Sequence, residues 1–187
     1  TGVDFPNELK PYTTPHENWD GLKKNNMAFG QGIAITPIQM ITAFSAVVNG
    51  GTLYKPYLVE KITDGEGIVI RRNTPTVVRK VISESVSESM RSILADTVDK
   101  GTGKRARIEG YAVGGKTGTA QVVDPKTGTY YKSPYKVMQS FIGYAPSEDP
   151  QVILYVGIKL PSKELGASNA NGASEIFKPI MENTLNY

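Results

Sequence analysis

Lys116 lies where two chemically meaningful spacings overlap. Gly110-Tyr-Ala-Val-Gly-Gly-Lys-Thr117 satisfies G-x-x-x-x-G-K-[ST], the spacing of a loop that cradles phosphates. That chemistry needs the loop to follow a strand and open a helix whose first N–H groups face the phosphates. Here a helical pattern lies upstream, and Val122-Val123 before Asp124-Pro125 has strand character, so no helix can begin at Lys116. The second spacing is Lys116-Thr117-Gly118, followed by Thr119. It combines a fixed cation, two hydroxyls and a residue without a side chain, a set that suits an anionic ligand approaching a strand closely. Lys-Thr-Gly recurs at 126–128, but that copy follows Pro125 within turn residues and reads as a solvated hairpin.

The rest of the composition removes competing chemistry. With no Cys and one His, the chain has no disulfides or Cys-ligated zinc, and any catalytic triad would depend on His16. His16, beside Glu17 and near Asp20 in a Pro-rich stretch, reads as surface. Twenty-one basic against 18 acidic residues give a net charge of +3, too weak to argue for a nucleic-acid partner. Lys100, Lys104, Arg105 and Arg107 read as a solvated basic loop ahead of Lys116, and Arg71, Arg72, Arg79 and Lys80 as edge-strand charges that discourage aggregation.

The elements that must position Lys116 follow from periodicity. The uncharged run Asn25–Tyr54 is interrupted by Gly30, Gln31, Gly32, Thr36, Pro37 and Gln39, so it reads as a buried core helix with its entry loop rather than a membrane span. Thr36 is the expected N-cap, Pro37 the first helical residue, and Gly50-Gly51 the stop. Thr52–Glu60 and Gly67–Arg71 are expected strands around the turn Asp64–Gly67. A second helix is predicted from a Ser85/Glu88 capping box, with Val86, Met90, Ile93, Leu94 and Val98 on its apolar stripe and Gly101 at its end. Three strands then follow with short connections, Lys116–Val123, Val137–Tyr144 and Val152–Ile158, before a helix over Glu175–Leu185 that contains Pro179. Short connections favour an antiparallel meander, and helices followed by a meander make the fold α+β.

With its surroundings, Gly114-Gly-Lys-Thr-Gly-Thr-Ala-Gln121 resembles the third active-site motif of class B penicillin-binding proteins, the monofunctional cell-wall transpeptidases. Phe29-Gly-Gln-Gly-Ile-Ala-Ile-Thr-Pro-Ile-Gln-Met40, continuing to Asn49-Gly-Gly-Thr-Leu-Tyr-Lys-Pro56, is also similar to that family. So are Thr1-Gly-Val-Asp-Phe-Pro6 and Asp99-Lys-Gly-Thr-Gly103, so the likeness extends along residues 1–187. The resemblance implies a penicilloyl-serine transferase fold, an antiparallel sheet packed with helices. It also implies a serine acyl-enzyme that cross-links D-Ala-D-Ala stem peptides of peptidoglycan, is acylated by β-lactams, and needs no cofactor. Carried over residue by residue, Lys116 and Thr119 are expected to be catalytic, Thr119 through a backbone N–H to an oxyanion. Thr117, Gly118 and Gln121 are expected to bind substrate.

The family also uses S-x-x-K and S-x-N motifs, expected ahead of K-T-G. Ser133-Pro-Tyr-Lys136 matches the first in letters but runs into a strand pattern, and Ser168-Asn-Ala-Asn171 lacks the second spacing. The expectation is therefore that residues 1–187 form the C-terminal portion of one transpeptidase domain, with the nucleophile upstream of Thr1 and the fragment inactive alone. The resemblance also implies an extracytoplasmic location on a bacterial membrane, an anchor outside this chain, and cell-wall synthesis or division machinery as partners. A D,D-carboxypeptidase, a β-lactam sensor, a catalytically silent scaffold and, last, a P-loop nucleotide binder are the alternatives.

Overall fold

The computed structural model describes residues 1–132, 136–159 and 172–187. In chain order the elements are helices α1 (Gly21–Ala28) and α2 (Pro37–Val48), strands β1 (Thr52–Lys55), β2 (Lys61–Thr63), β3 (Val69–Arg72) and β4 (Thr76–Lys80), and helix α3 (Glu84–Asp99). Strands β5 (Gly114–Gln121), β6 (Val137–Ala145) and β7 (Val152–Lys159) and helix α4 (Gly172–Leu185) complete it. The chain divides into two compact units, Thr1–Tyr12 with Ala34–Glu88, and Thr13–Ile33 with Ser89–Tyr187. Among the described residues no helix is long and apolar enough to cross a membrane.

In the first unit α2 starts as the sequence predicts. Thr36 Oγ1 accepts from the Gln39 N–H at 3.3 Å while Gln39 Oε1 accepts from the Thr36 N–H at 2.9 Å, a reciprocal capping box with Pro37 behind it. Gly51 ends the turn after α2 at φ +95°, and a Cβ there would lie 2.1 Å from the Ile82 carbonyl oxygen, so only glycine fits. Ala46 and Val48 are buried, but the other apolar residues of α2 are only half-covered or exposed, so the helix is not enclosed all round as expected. The partners in its unit are two-stranded ribbons, too small to surround it.

The strand pairing also differs from the expectation. Pro56 lacks the N–H that would continue a ladder, so β1 stops at Lys55. Its partner is β4, with Leu53 opposite Arg79, while β2 pairs with β3, with Ile62 opposite Arg71. The Asp4 carboxylate accepts from the Leu58 and Val59 N–H groups at 2.5 and 3.1 Å, and the first of these bonds above all holds its carboxyl below its usual pKa. The N-terminal loop is thereby tied to the segment between the ribbons.

At the start of α3 the cap is Ser83, whose Oγ accepts from the Val86 N–H at 3.3 Å, rather than Ser85. The buried stripe of α3 also departs from the predicted one: Leu94 and Val98 are buried, but Val86 and Ile93 are exposed. Ser87 takes a buried place instead, because its hydroxyl donates to the Val47 carbonyl at 2.6 Å and accepts from the Gly50 N–H at 3.0 Å. Hydropathy ranks Val86 above Ser87, yet a satisfied hydroxyl can be buried at little cost.

The second unit holds the predicted meander, an antiparallel sheet of order β5-β6-β7. α4 packs on it through Ala173, Phe177 and Met181, all fully buried, and Phe177 meets Phe141 of β6 edge-to-face at 4.8 Å. Val98, Ala106, Ile108 and Val113 complete this core. α1 was not expected from the sequence; Asp20 caps it by accepting from the Lys23 N–H at 2.6 Å. Trp19 anchors the loop before it through a 2.8 Å hydrogen bond from Nε1 to the Thr14 carbonyl.

Tyr144 of β6 is fully buried and its hydroxyl donates to the Arg91 carbonyl of α3 at 3.2 Å. Burial pushes its phenol up to about 12, above the ordinary 10 of an unfolded tyrosine. The native state therefore holds this proton more tightly, and the associated stability is complete below pH 10 and lost as pH rises from 10 towards 12. Tyr144→Phe is expected to lower stability at pH 7 by about 1 kcal/mol and to flatten the decline between these limits, as measured by thermal unfolding across pH.

Candidate active site

β5 carries every residue that the sequence singles out for chemistry, Lys116, Thr117, Gly118, Thr119 and Gln121. It pairs with β6 without a break from Gly114 opposite Tyr144 to Gln121 opposite Val137. Lys116 thus sits inside a strand with no helix opening at it, which disposes of the phosphate-loop reading. β5 is an end strand of its sheet, so among the described residues its second edge has no ladder partner.

The glycines explain how β5 lies so close to β6. A Cβ at Gly114 would fall 2.4 Å from the Tyr144 phenol, and one at Gly115 would fall 2.5 Å from the Phe141 ring. These two contacts lie on opposite faces of the sheet, because successive strand residues point to opposite sides. Lys116 and Gly118 share a face with Gly114, while Thr117, Thr119 and Gln121 share one with Gly115. Gly118 differs in kind from the other two: a Cβ there would meet only the Ser140 hydroxyl, at 2.6 Å.

The polar geometry is local and specific. Lys116 is exposed and its Nζ donates to the Thr117 carbonyl at 2.8 Å. Thr117 is half-buried and its Oγ1 lies 2.9 Å from Oγ1 of Thr102, in the loop that follows α3. Thr119 and Gln121 are exposed. Opposite Thr119 in the ladder, Gln139 is buried, and its Oε1 has no hydrogen-bond partner among the described residues.

Thr102, Ser140 and Gln139 were not singled out by motif. The signal for the last two was present: polar residues inside the apolar run Val137–Tyr144 require a reason. Thr102 stood in a noted segment but became visible only through its hydroxyl contact with Thr117 on β5.

The remaining candidates fall away from this strand. His16 is exposed and meets Glu17 at 3.1 Å, and no His, Cys, Asp and Glu group among the described residues could hold a metal. The basic loop is largely paired, Lys100 with Asp96 at 2.8 Å, Arg107 with Asp99 at 3.3 Å, and Arg105 with Glu175. The hydrogen bond from Lys100 to Asp96 raises the lysine pKa, and such exposed pairs contribute little to stability. Lys126-Thr-Gly128 forms the expected turn, with Gly128 N–H donating to the Asp124 carbonyl at 2.9 Å. Tyr130 bridges back to Val123, and Lys136 Nζ lies 5.8 Å from the centre of the Tyr131 ring. Ser133–Tyr135 and Ser168–Asn171 lie outside the described residues.

The three glycines should separate packing from access. Gly114→Ala and Gly115→Ala place a methyl against rings in a closed core and are expected to cost about 1–3 kcal/mol of stability each. Gly118→Ala meets only a rotatable hydroxyl and is expected to cost less than about 1 kcal/mol. Denaturant unfolding of the three variants checks the ranking.

Residues 1–182 match the family described as the penicillin binding protein transpeptidase domain. Stage V sporulation protein D of Bacillus subtilis is 43% identical over 162 residues, covering 86% of this chain and 24% of that protein. The probable peptidoglycan D,D-transpeptidase PbpC of Pseudomonas aeruginosa is 30% identical over 184 residues, covering 98% of this chain and 30% of that protein. The crystal structure of penicillin-binding protein 3 from Mycobacterium tuberculosis in complex with aztreonam superposes with a TM-score of 0.85 at 27% identity, covering 99% of this chain and 42% of that one. The chain thus spans between about a quarter and a third of the length of these curated relatives. A match over nearly all its residues, with the K-T-G sequence on a terminal strand, establishes that the chain belongs to the penicillin-binding protein transpeptidase domain family.

Proposed function

We propose that this chain supplies the K-T-G wall of a peptidoglycan D,D-transpeptidase that works through a serine acyl-enzyme. The observation that carries this reading is the placement of Lys116-Thr117-Gly118 on an end strand whose second edge has no ladder partner among the described residues. An extended peptide can lie along such an edge and pair with its backbone. Lys116 and Thr119 act in catalysis, the first as a fixed positive charge and the second through a backbone N–H to the oxyanion. The Thr117 hydroxyl donates to the terminal carboxylate of the substrate. Gly118 keeps the approach open and Gln121 contacts the peptide.

The nucleophile belongs to the upstream portion of the same domain, of which residues 1–187 form the C-terminal part. Its Oγ forms an ester with the carbonyl of the penultimate D-Ala. The C–N bond to the terminal D-Ala breaks, and that D-Ala leaves as the amine with the serine proton. An amine of a second stem peptide then attacks the ester, and the serine recovers a proton as the new amide forms. A β-lactam follows the first half only: its ring C–N bond opens on the same serine. The enzyme sits on the extracytoplasmic face of a bacterial membrane, anchored by a segment outside this chain, alongside cell-wall synthesis or division machinery. The relatives named as penicillin-binding proteins and D,D-transpeptidases support this assignment.

Fluorescent penicillin labelling of the protein with its upstream portion tests the reading. Wild type is expected to label covalently, Lys116→Ala to lose about 10²-fold or more in acylation rate, and Gly118→Ala to lose acylation without a matching loss of stability. The isolated 187-residue chain is expected to gain no penicilloyl mass. A parent protein that never labels would overturn the acyl-enzyme assignment. Labelling followed by rapid hydrolysis without transfer to an amine would favour a carboxypeptidase.

A further inference from the structure

The Asp99–Gly103 segment holds a feature that the K-T-G reading does not use. After α3 the chain folds back on the last helical turn: Gly101 N–H donates to the Asp96 and Thr97 carbonyls, at 3.2 and 3.1 Å, and Gly103 N–H to the Thr97 carbonyl at 3.0 Å. A Cβ at Gly101 would lie 2.8 Å from the Thr97 oxygen, and one at Gly103 would lie 3.2 Å from the same oxygen and from the Val98 side chain. Glycine on both sides therefore lets Thr102 sit tight against the helix end. Ala106, fully buried, receives the chain immediately afterwards through a 2.8 Å bond from its N–H to the Gly103 carbonyl. Thr102 is pinned from both directions, and its Oγ1 is 2.9 Å from Oγ1 of Thr117.

We propose that Thr102 is a positioning residue for the substrate carboxylate, acting through Thr117. The proposal rests on the reading of β5 as a carboxylate-binding wall. A hydroxyl has one proton to give, and a carboxylate can only accept. If Thr117 donates to the carboxylate, it has no proton left for Thr102, so Thr102 must donate to Thr117. An incoming anion thus selects one direction for the hydroxyl pair. In that direction the Thr102 bond polarises the Thr117 O–H and fixes its aim at the ligand. The Thr117 carbonyl is held at the same time by Lys116 Nζ at 2.8 Å, so backbone and side chain of this residue are both restrained.

The test uses the protein with its upstream portion and saturation kinetics of acylation by benzylpenicillin and by its methyl ester, which lacks the anionic carboxylate. Thr102→Val keeps the shape and removes the hydroxyl; Thr102→Ser keeps the hydroxyl. For benzylpenicillin, Thr102→Val is expected to raise the half-saturating concentration roughly 5- to 30-fold with little change in the limiting rate. The ester should change less than about twofold, and Thr102→Ser should stay close to wild type. In a Thr117→Val background the Thr102→Val substitution should have no further effect. An equal loss for acid and ester, a loss that serine does not rescue, or no loss at all would overturn the proposal. If Thr102→Val fails to fold by circular dichroism, Thr102→Ala takes its place under the same criteria. Wild type that labels while Thr102→Val is unaffected removes this inference alone; wild type that never labels removes the acyl-enzyme reading and this inference with it.

Discussion

The close approach of β5 to the aromatic side chains of β6 is the constraint on which the second unit depends. Two large rings, Phe141 and Tyr144, lie fully buried on opposite faces of β6, and each occupies the space that a side chain on β5 would need. Gly114 and Gly115 are therefore less a flexible hinge than a pair of gaps filled from the neighbouring strand. Phe141 continues into Phe177 of α4, and the Tyr144 hydroxyl reaches the Arg91 carbonyl of α3. One short stretch of sheet thereby couples the helices on both faces to the strand that carries Lys116. The residues proposed to act, from Lys116 onward, begin immediately after these glycines.

The same arrangement suits the proposed site on an end strand. The β6 side of β5 is consumed by an unbroken ladder, and among the described residues no strand pairs with its other edge, the kind of edge along which an extended peptide can pair. An unpaired edge is ordinarily a hazard for aggregation. Here the charge of Lys116 and the polar side chains of Thr119 and Gln121 make that strand hydrophilic, so the edge suits a polar, anionic ligand better than another apolar strand. The Thr102 hydroxyl adds a contact from outside the sheet.

Much of the fold was legible because it rests on short-range chemistry. Thr36-Pro37 began α2 and Gly50-Gly51 ended it, since capping and turn requirements act within a few residues. The meander followed from three consecutive strand patterns with no helical pattern between them. The departures share one cause, the partner across space. β1 was expected to pair within residues 52–72 but reaches β4, and Pro56 made room for that choice without specifying it. Ser87 displaced Val86 from the buried stripe because the end of α2 supplied partners for its hydroxyl. α1 was missed because its eight residues have no apolar periodicity, and only the Asp20 cap marks it.

For the site, the sequence by itself determined the chemical set: a lysine, two hydroxyls and a glycine in a fixed order, within surroundings that mark the family. It also ranked a phosphate loop last, because strand character after Lys116 is a local property, and the position of Lys116 inside β5 then removed that reading. Which side of the strand each group occupies, what lies under each glycine, and which hydroxyl meets Thr117 were decided only by tertiary structure. Those facts depend on register with β6 and on how the loop after α3 folds back. Residues 102 and 117 are neighbours only because a helix end and a strand meet there, a juxtaposition that no local pattern encodes.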